Sequence, residues 1–301
     1  MHTAILKEAL GGNTKSLARC ISFIENEVEG YEKLLETLPV TTVPVTGITG
    51  PPGAGKSTLT DQLIQLIIDD KKRVAVLCID PSSAFHKGAL LGDRIRMSRW
   101  YDNENVFIRS LAGKGSLGGL SPKVIEITDL LKAAAFDHVI IETIGVGQNE
   151  IEIAGLADTT VVVLVPEGGD EIQTMKAGLM EIADIFVVNK SDRSGADTFV
   201  KNLRSMLAPA FSSKQQEVPV IKTAASKNEG IDVLYDAIKL NNAVHHSLQN
   251  KVRLYAEKAY LLITKMRMKD IEIEDLQKEI TDSMQHENFN LYSYLKNFKQ
   301  R

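Results

Sequence analysis

The sequence predicts an α/β fold: a doubly wound, mostly parallel sheet with helical extensions at both ends. Three observations carry that expectation. Apolar runs of four to seven residues alternate with helical patterns through the central two thirds of the chain, as a parallel sheet covered on both faces requires. Between the first of those runs and a helical pattern stands Gly50-Pro51-Pro52-Gly53-Ala54-Gly55-Lys56-Ser57-Thr58. Polar clusters then recur at the ends of the later runs, where open α/β sheets bind their ligands.

Taken in order, Leu17, Ile21, Ile24 and Val28 recur at alternating steps of four and three, giving one stripe of an amphipathic helix with Asn13 or Thr14 as its N-cap. The β-branched run 43–49 reads as the first strand and the pattern from the loop to 68 as a helix. Strands follow at 74–79, 106–109, 138–141, 159–165, 185–188 and 218–221, with helices around 94–101, 122–135, 171–182 and 199–207 and a loop at 111–121. Beyond Leu234 the chain reads as helix, where Leu248, Val252, Tyr255, Ala259, Leu262 and Met266 line up as one apolar seam. The expected division is an N-terminal helical extension at 1–42, a nucleotide-binding domain at 43–240 and a C-terminal helical region at 241–301. The seam of that last region must be buried either against the stripe of Leu17, Ile21, Ile24 and Val28 or against a second copy, the dimerisation arm that the resemblance given below implies.

With 301 residues, 44% hydrophobic and 25% charged, the composition suits one sizeable core with helical appendages. Asp and Glu (39) outnumber and intersperse Lys and Arg (35), so the net charge of −4 leaves no electrostatic footprint for nucleic acid or an anionic membrane. No run approaches the roughly 18 apolar residues of a membrane span, and acidic residues interrupt the apolar pattern near the start where a signal peptide would be unbroken. The expected compartment is the cytoplasm. Cys20 and Cys78 fall within apolar patterns and read as small buried hydrophobes. The six histidines lack metal-ligand spacing, and His245 and His246, being adjacent, cannot share a helical face.

The glycines of the loop let backbone N–H groups converge on phosphates; Lys56 places a charge on the β- and γ-oxygens and the Ser57 hydroxyl can ligate Mg²⁺. Asn189-Lys190-Ser191-Asp192, at the end of the strand 185–188, fits the chemistry of guanine. A carboxylate at Asp192 accepts from the N1–H and N2–H₂ that guanine has and adenine lacks, while the Asn189 amide suits the N7/O6 edge. Among the other strand ends, Asp80 and Glu142 are carboxylates placed to hold a metal or orient water, or simply to cap turns. Gly145 and Gly147 permit a backbone that swings toward a γ-phosphate. Gln148 could orient water or open a helix, and 168–176 reads either as a glycine-hinged helix start or as a relay to a partner.

The strings Ile79-Asp80-Pro81-Ser82-Ser83, Gly92-Asp93-Arg94 followed by Met97, Glu142-Thr143-Ile144-Gly145-Val146-Gly147-Gln148 and Gly169-Asp170-Glu171-Ile172-Gln173 together resemble the MeaB/ArgK-type GTPases. These are G-protein chaperones of adenosylcobalamin-dependent acyl-CoA mutases, formerly labelled kinases of an arginine/ornithine transport system. The resemblance implies a GTP/GDP- and Mg²⁺-binding homodimer that gates the cofactor of a mutase, methylmalonyl-CoA mutase being the expected one. It implies that Gly50 to Thr58 hold the phosphates, that Asp80 and Asp93 lie with Ser57 on the metal and first-switch side, and that Glu142 is the catalytic carboxylate beside Lys56. Asn189, Lys190 and Asp192 would read guanine with Ala224, Ala225 and Ser226 behind the base, and Asp170 to Lys176 would match the third switch. At Ala224 the family usually has Ser, and the backbone N–H is expected to reach the guanine oxygen in its place. Two other readings are a nickel-inserting GTPase, which would need a His-rich or Cys/His cluster, and a kinase, which would need an acceptor site beside the γ-phosphate.

Overall fold

A computed structural model describes residues 2–81, 97–113, 123–143, 149–167, 177–211, 218–243, 248–268, 271, 273–286 and 289–298. Seven strands, β1 (Val45–Thr49), β2 (Val74–Pro81), β3 (Val106–Gly113), β4 (His138–Glu142), β5 (Thr159–Leu164), β6 (Ile185–Val188) and β7 (Val220–Lys222), form one all-parallel sheet in the order β3-β2-β4-β1-β5-β6-β7. Because side chains alternate along a strand, β5 sends Val161 and Val163 into one core and Val162 and Leu164 into the other. The first core is closed by Leu63, Ile64 and Ile67 of α4, defined below, and by Ile231, Leu234 and Ile238 near the end of the domain; the second is closed by Phe199, Leu203 and Leu207. Both faces are therefore buried, which is why the strands read as unbroken apolar runs.

The N-terminal extension consists of α1 (His2–Leu10), α2 (Thr14–Glu25) and α3 (Tyr31–Glu36). Asn13 is the N-cap of α2, its Oδ1 accepting from the Ser16 N–H at 2.9 Å. Leu17, Ile21 and Ile24 are buried as the stripe requires, but Val28 is 44% exposed. The helix stops at Glu25 and Glu27 takes φ +48°, so the chain turns before Val28 can join the stripe.

α4 (Lys56–Asp69) follows the phosphate-loop sequence, and α5 (Val124–Ala133), α6 (Asn149–Leu156), α7 (Ala177–Ile182), α8 (Ala196–Phe211) and α9 (Ile231–Ala243) complete the domain, with a 3₁₀ turn at Ser98–Trp100. α6 packs against β1, where a Cβ at Gly47 would stand 2.7 Å from Ile153 Cγ1; only glycine lets that helix approach. Of the expected 94–101 and 171–182 helices, residues 94–96 and 171–176 lie outside the described residues. α10 (Leu248–Arg267), α11 (Ile273–His286) and α12 (Leu291–Phe298) follow, and the chain divides into compact units Met1–Lys251 and Val252–Arg301. Among the described residues no helix is long and apolar enough to cross a membrane.

At the amino end of β4, His138 is buried with a ring nitrogen 2.9 Å from Thr46 Oγ1. Burial first, and the Lys72 charge second, push its pKa down to about 4 from an ordinary 6.5. The unfolded chain takes up this proton below about 6.5 while the folded one resists until about 4, so the stability His138 confers is complete above that window and is lost as pH falls through it. At about 1.36 kcal/mol per unit, the loss from pH 6.5 to 5 amounts to roughly 2 kcal/mol. Denaturant melts of wild type and His138→Asn at pH 7 and pH 5 should show a distinctly smaller pH dependence in the variant; equal losses in both would dismiss the assignment.

Candidate nucleotide and metal site

The loop between β1 and α4 is shaped by two close approaches. Gly50 has φ +136° and a Cβ there would lie 2.1 Å from the Val163 carbonyl oxygen of β5; Gly55 has φ +89° and its Cβ would lie 2.4 Å from Asn189 Nδ2. Neither position admits a side chain without moving backbone or a buried amide. Gly53, at φ +76°, has open space around it, and Pro52, Gly53 and Thr58 are exposed. α4 begins at Lys56 with Gly55 as a cap that lends no side-chain acceptor, so the helix start depends on other acceptors for its first amides. Lys56 is 7% exposed, and its Nζ donates to the carbonyls of Gly50 (2.8 Å) and Pro51 (3.0 Å).

Beneath the loop lies Glu142, the last residue of β4, only 3% exposed. Its Oε1 accepts from Ser57 Oγ at 2.6 Å and its Oε2 from Thr60 Oγ1 at 2.9 Å. β4 lies between β2 and β1, and Glu142 is in register with Cys78 and Ile48. Thr143 continues the seam, its hydroxyl donating to Thr49 Oγ1 at 2.8 Å. A hydroxyl and a carboxylate in contact are hard oxygen donors of the kind Mg²⁺ prefers. Asp80 lies two residues beyond Cys78 on β2, its backbone at the same carboxyl end of the sheet and opposite Ala112 of β3. Asp93, Gly145, Gly147, Gln148 and the segment 168–176 lie outside the described residues.

At the end of β6, Asn189 is 2% exposed and its amide joins two loops. Its Nδ2 donates to the Ala54 carbonyl at 2.9 Å, and its Oδ1 accepts from Thr223 Oγ1 at 3.0 Å and from the Ala225 N–H at 3.1 Å. Lys190 takes φ +55°, turning the chain toward Asp192. Asp192 pairs with Lys227 at 2.9 Å; that hydrogen bond, above all, holds its carboxyl below the usual carboxylate range. The Ala224 N–H, expected on the guanine oxygen, donates to the Glu229 carbonyl at 3.0 Å, and Ser226 is exposed in the 3₁₀ turn Ala225–Lys227. The structure thus gathers Gly50 to Thr58 with Glu142 and Asn189, and Asp192 with the turn at 225–227.

Two residues of this neighbourhood escape sequence reasoning. Thr60 lies three positions after Ser57, on the same helix face, and that spacing is the signal it carries. Lys227 follows Ser226, but its partner Asp192 sits 35 residues earlier and no local pattern reveals it; Thr223 heads the polar cluster Thr223 to Ser226 that the sequence places at a strand end.

An all-parallel sheet with this loop after β1, a buried carboxylate beneath it and an Asn-Lys-Ser-Asp run after β6 define a P-loop GTPase, an enzyme that hydrolyses GTP. More narrowly, the family model described as Methylmalonyl Co-A mutase-associated GTPase MeaB matches residues 17–279, and the chain belongs to that family. GTPase ArgK of Escherichia coli is 36% identical over 238 residues, covering 75% of this chain and 72% of its own. The fused isobutyryl-CoA mutase of Cupriavidus metallidurans is 36% identical over 244 residues, which are 77% of this chain and 22% of that much longer one. Among solved structures, a LAO/AO transport system kinase superposes with a TM-score of 0.66 over 99% of this chain and 96% of that one; at 23% identity the likeness is one of fold.

Proposed function

We propose that this GTPase is a chaperone of an adenosylcobalamin-dependent acyl-CoA mutase, methylmalonyl-CoA mutase in the first instance, and that its nucleotide state gates loading and protection of the mutase cofactor. The observation that carries the reading is the relative in which a domain like this one shares a polypeptide with isobutyryl-CoA mutase. Tethering raises the effective concentration of one module at another, and it is useful where the two work on each other. The family description supports the same reading, and the match extends past the sheet into the C-terminal helices.

In this reading the backbone of Gly50, Pro51, Pro52, Gly53, Ala54 and Gly55, with Ser57 and Thr58, surrounds the phosphates. Lys56 exchanges the Gly50 and Pro51 carbonyls for phosphate oxygens, a swap of neutral acceptors for charged ones that favours the ligand. Ser57 and Glu142 would hold Mg²⁺, with Asp80 and Asp93 on the same side, and the ion would neutralise charge on the phosphate oxygens. Glu142 also orients the attacking water. Asn189, Lys190 and Asp192 read guanine, backed by Ala224, Ala225 and Ser226, and Asp192 must share or surrender Lys227 to do so. Asp170 to Lys176 relays the nucleotide state to the mutase. The protein works in the cytoplasm as a homodimer whose protomers meet through the seam of α10.

Guanine reading is tested at Asp192. A hydrogen bond to a charged group is worth about 1.5 to 3 kcal/mol, so Asp192→Asn should weaken GTP binding roughly ten- to a hundredfold and improve xanthosine nucleotides. Unaltered GTP affinity would sink the assignment.

The chaperone role is tested with methylmalonyl-CoA mutase in hand. Replacing Asp170 and Lys176 by Ala should leave basal GTP hydrolysis near wild type while diminishing both its stimulation by the mutase and the slowing of mutase inactivation. A mutase response of full size in that variant counts against the relay, and no response in the wild type counts against the chaperone reading itself.

The dimer rests on Val252, Tyr255, Leu262 and Met266, which are 56%, 45%, 38% and 75% exposed in a single chain and share one face of α10. Light scattering should give twice the chain mass at micromolar concentration. A clean monomer there rules the dimer out.

A further inference from the structure

We infer that Thr60 is the positioning residue for Glu142: its hydroxyl pins one carboxylate oxygen so that the other is presented to Ser57 and the phosphate side of the loop. This rests on the role proposed above for Glu142. A threonine inside a helix commonly gives its hydroxyl proton to the carbonyl four residues back, as Thr128, Thr264 and Thr281 do on Val124, Tyr260 and Gln277. Thr60 has that acceptor too, the Lys56 carbonyl at 2.9 Å, but Glu142 Oε2 stands at the same distance from the same oxygen. One hydroxyl carries one proton, so the two acceptors compete for it. A carboxylate is the stronger acceptor, and the Lys56 carbonyl also lies in the α4 ladder.

Burial sharpens the preference. Thr60 is 0% exposed and Glu142 3% exposed, so water has little access to the carboxylate from this side. The two ends of Glu142 then have different duties. Oε1 is held by Ser57, the residue whose hydroxyl is needed for a divalent cation, and Ser57 cannot serve both with the same geometry. Oε2 is held by a residue with no such second duty, one helical turn deeper. When Ser57 turns to a cation, Thr60 keeps the carboxylate plane from rotating and leaves Oε1 aimed at the reacting side. A misplacement of about 1 Å at such a group costs up to a hundredfold in rate, so a fixed second oxygen has consequences for turnover.

The test is a double-mutant cycle on the full chain, using wild type, Thr60→Val, Thr60→Ser, Glu142→Gln and the Thr60→Val/Glu142→Gln pair. Valine keeps the shape of threonine and removes only the hydroxyl; Thr60→Ala supplies the same loss should valine not fold. Two quantities are read: single-turnover hydrolysis of bound GTP, and the Mg²⁺ concentration that half-maximally tightens GDP binding. Thr60→Val should lower the hydrolysis rate roughly tenfold and raise the Mg²⁺ requirement several-fold, with GDP affinity in EDTA unchanged. Thr60→Ser should restore both to within about twofold of wild type, and Thr60→Val should add less than its full effect once Glu142 is Gln, whose amide oxygen is the weaker acceptor. Wild-type values for Thr60→Val, failure of serine to rescue, or a full additional loss in the Glu142→Gln background would overturn the role of Thr60. Wild-type hydrolysis by Glu142→Gln would instead overturn the reading of Glu142 beneath it.

Discussion

The Asn189 carboxamide is the constraint on which the geometry of this site depends. It bonds the phosphate loop through the Ala54 carbonyl and the loop after β7 through Thr223 and Ala225. Each bond contributes on the order of 1 kcal/mol net, but leaving any of these buried groups unpaired would cost about 1 to 3 kcal/mol, so the junction is stiff. An amide offers two N–H donors and two acceptor lone pairs, and three of these four are spent on these bonds. Asn189 therefore acts first as a spacer that fixes the loop after β1 against the loop after β7. The same junction dictates Gly55, since any Cβ there would strike Nδ2.

Lys56, Glu142 and Asp192 each have an internal partner, and in the proposed reading binding exchanges those partners instead of filling a vacancy. Lys56 has the loop carbonyls, Glu142 has two hydroxyls, and Asp192 has Lys227. The net gain on binding is then the difference between a charge-assisted bond to the ligand and the bond given up for it. In the proposed reading that difference is large at Lys56, where phosphate replaces a neutral carbonyl, and at Asp192 it depends on Lys227 being shared with the neutral N–H donors of guanine instead of surrendered to them. On that reading, a nucleotide whose base offers Asp192 no donor leaves the Lys227 pair intact and gains nothing from it.

Periodicity and loop chemistry were legible in the chain; long-range pairing was not. Ile185–Val188 is a strand over the expected residues because turn chemistry bounds a pure β-branched and aromatic run on both sides. β3 runs to Gly113 although its apolar pattern stops at Ile108, because Arg109 finds Glu25 and Ser22 on α2 and need not end the strand. α6 was unreadable because Glu150, Ile151, Glu152 and Ile153 alternate with the period of a strand, and its helical form is fixed by packing on Gly47. α1 and α3 span only nine and six residues, too short for a periodic stripe to declare itself. The site shows the same division. Loop residues were visible as motifs, whereas Thr60 and Glu142, 82 residues apart, meet only because β4 lies beside β1.

The pairing of β3 with α2 bears on how the N-terminal helices belong to the enzyme. Three cations of the sheet domain reach into residues 1–42. Arg73 donates to the Gly12 carbonyl at 3.4 Å, Arg109 pairs with Glu25, and Lys123 meets Glu27 at 3.0 Å and the Tyr31 hydroxyl at 3.1 Å. Lys123 is the telling case, because it is 6% exposed; burial alone would lower its pKa, yet the hydrogen bonds with Glu27 and Tyr31 hold it above the usual value. A buried ammonium is tolerated only while those partners remain, so the extension neutralises charge as well as covering apolar surface. Lys123 also immediately precedes α5, whose Glu126 lies 3.6 Å from the same Nζ. The start of that helix is thereby fastened to α3 and to the turn before it. The extension and the sheet fall within one compact unit, and separating them would break the Arg109–Glu25 and Lys123–Glu27 pairs together.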